Sequence, residues 1–282
     1  MAFSRPYTYS DLLTYLSDIE KLKKKYVTRE ILCHTLAGNP CWMLTITSPT
    51  KIKKKGVILT GRVHPGEPVS SWMLQGTIDF LLSNNNIAKY LLNNFIFKII
   101  PMLNPDGVIQ GNYRCSLAGC DLNRRYLYPS SIFHPTIYNL KKMVRVFSKQ
   151  YCIMFYCDFH GHSKAKNVFM YGNNGEENSE KYRVFPYIMS KINPYFSYKN
   201  SQFVVQKAKA STARIAMWKE LNIFTVYTIE ASFFGAENKL NDIHFEVEDL
   251  MNIGKSLCQA LNIYYKMNEP SLKVLLFAQK IG

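Results

Sequence analysis

Apolar positions recur along this chain with two different periods. In SDLLTYLSDIEKLKKKY (10–26) they fall three and four residues apart, which predicts an opening amphipathic helix with Ser10 as its N-cap. Five later stretches are nearly continuous apolar runs: CWMLTITS (41–48), KGVILTGRV (55–63), NFIFKIIPML (94–103), YCIMFYCDFH (151–160) and IFTVYTIEAS (223–232). Their β-branched and aromatic content predicts strands. Helical spacing returns at 68–83, 135–150, 211–222 and 246–267, the last with Val247, Leu250, Met251, Ile253, Leu257, Leu261 and Ile263 on its apolar side. Strands alternating with helices, several strands apolar throughout, predict an α/β fold around a largely buried sheet. No repeat, low-complexity block or clear linker interrupts the pattern, so a single domain over 1–282 is expected.

Composition narrows the picture. Of 282 residues 47% are hydrophobic, enough to fill a sizeable core and exclude wholesale disorder. The net charge of +15 points to an anionic partner, such as nucleic acid, an acidic membrane surface or an acidic protein. Seven cysteines, an odd number without C-x-x-C spacing, argue against a disulfide scaffold or a zinc finger. No apolar run approaches the roughly 18 residues of a membrane span, and MAFSRPYTYS has no signal-peptide character. A cytoplasmic protein is therefore expected. KLKKKY and KIKKK read as solvated faces, and no nucleic-acid motif is present.

In sheets of this kind ligands bind beyond the carboxyl ends of the strands. Three of the predicted strands end in candidate chemistry: His64 with Glu67, then His160, then Glu230. H-x-x-E alone is a weak signal. Here Pro65 biases His64 to extended backbone and Pro68 suits the first position of a helix, so Glu67 falls at the corner between strand and helix. Two ligands on one turn and a third from another strand make the open arrangement of catalytic zinc, with a position left for water. His160 is the first choice for the third ligand. His162 shares its face in extended chain and remains an alternative. Asp158 lies on that face too and could orient an imidazole. Glu230, closing an apolar strand, is placed to move a proton as general base and acid. Arg114, Asn123 and Arg124, in GNYRCSLAGCDLNRRY (111–126) after the turn chemistry of NPDG (104–107), offer donors suited to a carboxylate.

Together HPGE, NPDGV, GNYR…GCDLNR, DFHGHS and YTIEASF resemble the zinc carboxypeptidase family in its cytosolic branch, as do RPYTYSDLLTYL and KASTARIAMW. The resemblance runs from about residue 5 to 266. It implies a three-layer α/β/α sandwich around a mixed, mostly eight-stranded sheet. It implies one zinc ion held by His64, Glu67 and His160, with Glu230 as general base and acid. By the same similarity Arg114 polarises the scissile carbonyl, and Asn123 and Arg124 grip the substrate's terminal carboxylate. That branch removes glutamates from protein C-termini and side chains, tubulin above all, and the +15 charge suits such acidic tails. A monomer in the cytoplasm, on the cytoskeleton or at the cilium, with neither nucleic acid nor membrane as partner, is the corresponding expectation. Acidic specificity needs a cation in the pocket. The family's pocket-floor position falls near Arg214, with Ser211 as helix cap and Lys207 and Lys209 as rivals.

Three departures stand out. The β-rich domain that usually precedes the catalytic one in this branch is not in the sequence. The family's substrate-capping Tyr would fall at Ala208, leaving Tyr198 as a distant candidate, and Phe234 stands where relatives often have Cys. Competing functions are an inactive reader of acidic tails, a nucleic-acid binder, and a related zinc amidohydrolase acting on small acyl-amino acids.

Overall fold

The computed structural model describes residues 4–175, 180–237 and 242–268. In chain order they form α1 (Tyr9–Lys21), β1 (Val27–His34), β2 (Pro40–Ile46), β3 (Lys55–Gly61), α2 (Pro68–Leu82), α3 (Asn86–Asn94), β4 (Phe95–Ile100), α4 (Pro105–Gln110) and α5 (Pro135–Gln150). There follow β5 (Ile153–His162), β6 (Val168–Tyr171), α6 (Lys181–Ile192), α7 (Ala213–Leu221), β7 (Val226–Ser232), β8 (Gly235–Glu237), β9 (Asp242–His244) and α8 (Val247–Asn268).

Seven strands make the main sheet in the order β1-β2-β4-β3-β5-β7-β6, and β8 pairs with β9 apart from it. The central strands β4, β3, β5 and β7 are parallel, while β1, β2 and β6 run antiparallel to their neighbours. An eighth place, beside β6, is taken by residues 196–202, which meet the sheet through isolated bridges at Phe196 and Gln202 and through Ser201 Oγ, which accepts the Met170 N–H at 3.0 Å. The mixed sheet of the sequence-based expectation is thus present, with seven regular strands among the described residues.

Strand periodicity divides the core between two faces. Val57, Leu59, Phe95, Phe97 and Ile99 face the larger cluster, with α1, α2, α3, α6 and α8. Ile58, Ile96 and Ile100 face the smaller one, with α5 and α7. Burial on both faces is why the central strands are continuously apolar. On the larger face α2 and α8 touch backbone to backbone. A Cβ on Gly76 would come within 2.2 Å of the Met251 carbonyl, and one on Gly254 within 1.9 Å of the Met73 carbonyl. Only glycine permits that crossing.

Several boundaries differ from the sequence-based expectation for identifiable reasons. Thr8, not Ser10, caps α1: its Oγ1 accepts the Asp11 N–H at 3.1 Å while Asp11 accepts the Thr8 N–H at 2.7 Å. That reciprocal pair is a capping box. Thr212, not Ser211, is the N-cap of α7, which still leaves Arg214 in the first turn. The third strand stops at Gly61 because Arg62 takes a left-handed φ of 53°. NPDG begins a short helix instead of ending in a turn, since Asn104 Oδ1 accepts the Gly107 N–H at 3.0 Å.

Candidate active site

Three strand ends and one loop build the site. Beyond β3 the chain turns through His64 and Glu67 into α2. Gly66 donates to the Tyr113 carbonyl at 2.8 Å, and a Cβ there would lie 2.6 Å from that oxygen, so glycine is required. Arg62 braces this turn from beneath. It is buried, and donates to the Pro65 carbonyl, the Tyr7 carbonyl and Ser71 Oγ, each at 2.9 Å. A non-glycine residue held in left-handed backbone beside a site marks strain offset by its surroundings. On β5 and β7 the parallel register sets His160 directly against Glu230.

His64, Glu67 and His160 converge. One donor atom from each lies within 4.8 Å of the other two, and all three residues are buried. Glu67 bridges them, with Oε1 2.7 Å from His64 Nδ1 and Oε2 3.0 Å from His160 Nδ1. Each ring is held from its far side by a carboxylate. Asp121 Oδ1 is 3.0 Å from His64 Nε2, and Asp158 Oδ2 is 2.8 Å from His160 Nε2. Asp158 is itself fixed by Thr60 Oγ1 at 2.6 Å. Two imidazoles whose outer nitrogens are occupied turn their Nδ1 atoms inward, beside a carboxylate. This donor set fits zinc, because outer partners of this kind fix tautomer and ring orientation at metal centres. His162 lies aside: its Nδ1 accepts the Ala165 N–H at 2.8 Å and its ring edges Phe169.

The electrostatics carry the same signature. Burial alone would raise the Glu67 carboxyl and lower the His160 imidazole. The pair of histidines, His160 foremost, instead holds Glu67 well below the usual carboxylate range. Asp158 and Glu67 raise His160 well above its ordinary value. Asp121 is likewise held low against its burial by His64, Arg114 and Arg124.

His64, Glu67 and His160 line one cleft of about 260 Å³ together with Glu230, Arg114, Asn123, Arg124 and Arg214. Burial raises the Glu230 carboxyl to about 8, His160 and Arg114 opposing the rise and Glu67 and Asp158 adding to it. Its buried Oε2 has no hydrogen-bond partner among the described residues. Arg114 grips Asp121 Oδ2 through Nε at 2.9 Å and a terminal nitrogen at 2.8 Å. Asn123 is anchored at the start of α7, where its Oδ1 accepts the Ala213 N–H at 2.8 Å. Arg214 is buried, donating to the Gly172 carbonyl and to Asn173 Oδ1. No carboxylate among the described residues lies within 4.0 Å of it, and burial lowers its guanidinium to about 10. Lys207 is exposed and does not line the cleft; Lys209 does, with Nζ 5.5 Å from the Tyr171 ring centre. A larger groove, about 580 Å³ between α5 and the β1-β2-β4 side of the sheet, is lined by no histidine, cysteine or carboxylate.

Residues 12–235 match the family model described as zinc carboxypeptidase. The chain belongs to the zinc carboxypeptidase family. It is 44% identical over 272 residues to cytosolic carboxypeptidase 3 of Bos taurus, a match covering 92% of the chain and 27% of the relative. It is also 44% identical over 270 residues to cytosolic carboxypeptidase 2 of Homo sapiens, covering 91% of the chain and 30% of the relative. The chain thus spans about a quarter to a third of the length of these relatives. Among solved structures, a metallo-carboxypeptidase from Burkholderia cenocepacia superposes with a TM-score of 0.84 at 20% identity, covering 95% of this chain and 71% of that one. Carboxypeptidase A from Helicoverpa armigera gives 0.71 at 16% identity, covering 94% and 74%. At such identities these two establish the fold alone. Zinc is the ion of the family, and His64, Glu67 and His160 are the donors that fit it.

Asp121, Arg62 and Tyr171 were not singled out from the sequence. Asp121 had a readable signal, an acid beside Asn123 and Arg124 in the same loop. Arg62 had none, since its bracing role rests on a backbone angle, and Tyr171, which lines the cleft beside Lys209, had none because pairing across from Thr228 puts it there.

Proposed function

We propose that this chain is a zinc-dependent carboxypeptidase that removes glutamate from acidic protein tails, with tubulin tails as the leading substrate and a cytoplasmic, cytoskeletal or ciliary setting. The observation that carries the reading is one cleft combining a buried His-Glu-His donor set, a partnerless carboxylate oxygen on Glu230 and a buried Arg214 without an anionic partner. His64, Glu67 and His160 would hold the zinc ion, which would supply Lewis acidity toward water and carbonyl and a positive charge favouring the ionised form of Glu230.

The residues divide the remaining work. Glu230 takes a proton from the attacking water at its carboxylate and returns it to the departing amine nitrogen. Arg114, steadied by Asp121, turns its guanidinium to the carbonyl oxygen, where charge develops. Asn123 and Arg124 hold the terminal carboxylate of the substrate. Arg214 receives the γ-carboxylate of the residue to be released. A buried guanidinium satisfied only by neutral acceptors favours an anion strongly, because an unpaired buried charge is expensive.

The test is metal analysis of the purified chain, followed by mass spectrometry of peptides ending in Glu-Glu, linear and branched. The expected result is about one zinc per chain and stepwise release of free glutamate. Zinc-loaded chain that binds the peptides and leaves them intact would make it an inactive reader. Cleavage confined to small N-acyl amino acids would make it an amidohydrolase.

A further inference from the structure

Two pentads in this chain share one pattern, Lys21-Leu22-Lys23-Lys24-Lys25 and Lys51-Ile52-Lys53-Lys54-Lys55. The sheet register brings them together. Val27 at the start of β1 pairs with Ile46 at the end of β2, and Ile46 pairs with Phe97 early in β4. Just beyond, the Thr47 N–H donates to the Tyr26 carbonyl at 2.9 Å. Both pentads therefore lie at the same end of the sheet, that of the amino ends of β3 and β4, with β2 and β4 between the strands they lead into. The cleft sits at the opposite, carboxyl ends.

Lysines in each pentad tie it to the fold, Lys55 among them as the first residue of β3 with its Nζ 4.8 Å from the Tyr265 ring centre. Lys24 donates to the Leu82 carbonyl. Lys54 is buried, and donates to the Leu92 carbonyl at 2.7 Å and to Thr47 Oγ1 at 2.6 Å. These bonds fasten the two loops to the ends of α2 and α3. Pointing outward are the exposed Lys23, Lys25, Lys51 and Lys53, with Leu22 54% and Ile52 59% exposed among them. Residues 21–29, 47–66 and 80–105 contain no Asp or Glu. The acids nearest in sequence, Asp18 and Glu20, are taken by Lys21 at 2.7 Å and Arg29 at 3.1 Å.

We propose that this face docks on an anionic phospholipid surface. A polyanion alone accounts for the lysines and leaves two aliphatic side chains in water. A bilayer interface accommodates both, with Leu22 and Ile52 entering the boundary between headgroups and acyl chains and the lysines lying in the negative surface potential. Nucleic acid is a poorer fit. Neither pentad contains arginine, and Tyr26, the one aromatic adjoining them in sequence, lies with its ring centre 5.6 Å from Lys24 Nζ. A folded protein partner is also a poorer fit, since such interfaces are depleted in lysine. Among the described residues no helix is long and apolar enough to cross a membrane, so the contact is peripheral. The expectation of no membrane partner rested on the lack of a span and on KLKKKY and KIKKK being solvated faces. Docked in this way, the chain turns its cleft away from the lipid.

Sedimentation of the whole chain with vesicles tests this without using its catalytic activity. One set is phosphatidylcholine alone; the other is phosphatidylcholine mixed with phosphatidylserine. The chain is expected to sediment only with the mixed vesicles and to be released by salt. The double variant Leu22→Ser/Ile52→Ser should partition about tenfold more weakly with unchanged melting and unchanged zinc content. The quadruple Lys23→Glu/Lys25→Glu/Lys51→Glu/Lys53→Glu should not sediment. No sedimentation of the parent chain with the mixed vesicles would overturn the proposal. So would partitioning indifferent to Leu22 and Ile52, or binding of duplex RNA or poly-glutamate as tight as to lipid and sensitive only to the lysines.

Discussion

The two walls of the cleft are built on opposite principles. On one wall every ionisable group is answered. His64 lies between Glu67 and Asp121, His160 lies between Glu67 and Asp158, and Asp158 is held by Thr60. On the other wall, burial is as deep but the partners are missing. Glu230 leaves Oε2 unpaired, and Arg214 meets only a carbonyl and an amide oxygen. Buried polar groups in folded proteins are normally satisfied. The first wall is complete in itself and suits a fixed ion. The second is complete only when something carrying charge enters. The difference separates the part of the site that the chain finishes alone from the part it leaves to the substrate.

Mutations that remove a donor from the satisfied wall should have the largest effect. His64→Ala and His160→Ala are expected to lose zinc almost completely, whereas His162→Ala keeps it, because the His162 ring is engaged by Ala165 and Phe169. Metal analysis of the three purified variants checks this. Zinc retained in His160→Ala and lost in His162→Ala would reverse the assignment.

On the unsatisfied wall, Glu230→Gln should keep fold and zinc and lower turnover by about 10²-fold or more, the usual contribution of a positioned base. Near-normal glutamate release by zinc-replete Glu230→Gln would remove that role. Arg214→Leu should act on specificity, lowering kcat/KM for peptides ending in Glu by roughly 10²-fold and much less for matched peptides ending in Leu. An equal loss on both peptides would make Arg214 a support of the fold. Lys209, which lines the cleft, would then be the next candidate ahead of the exposed Lys207.

A smaller effect is expected one layer out. Asp121→Asn should weaken zinc binding by roughly 10- to 100-fold through loss of the His64 partner. Chelator competition measures it, and unchanged affinity would show that the loop alone holds the ring.

The smallest effect is on stability, in zinc-free protein. Burial raises Glu230 from 4.5 to about 8. A carboxyl that holds its proton more tightly when folded contributes stability that is fully present below about 4.5 and lost as pH rises through about 8. Melting of the parent chain should therefore fall relative to Glu230→Gln between about pH 4.5 and pH 8 and level off above that, and parallel melting curves from pH 4.5 to 8 would show that the carboxyl is not buried as described.

Much of this was legible in one dimension. Strands buried on both faces are apolar throughout, so β3, β4, β5 and β7 could be read from the chain, and the strand ends pointed to His64, Glu67, His160 and Glu230. Edge strands carry a weaker signal. β1 alternates only between exposed and half-buried positions, and β6 has four residues, so neither was expected. Helix α6 was masked by Pro186 in its interior. The residue types, order and spacing of the site were properties of the sequence, because ligand chemistry is local. Which ring of His160 and His162 faces the ligand set, why Asp121 serves His64, and that Arg214 is buried without an acid while Lys207 stands in solvent were decided only in three dimensions. Parallel register, a left-handed turn at Arg62 and the packing of α7 against Asn123 bring together residues up to 166 positions apart, from His64 to Glu230, and no local pattern encodes the distances among them.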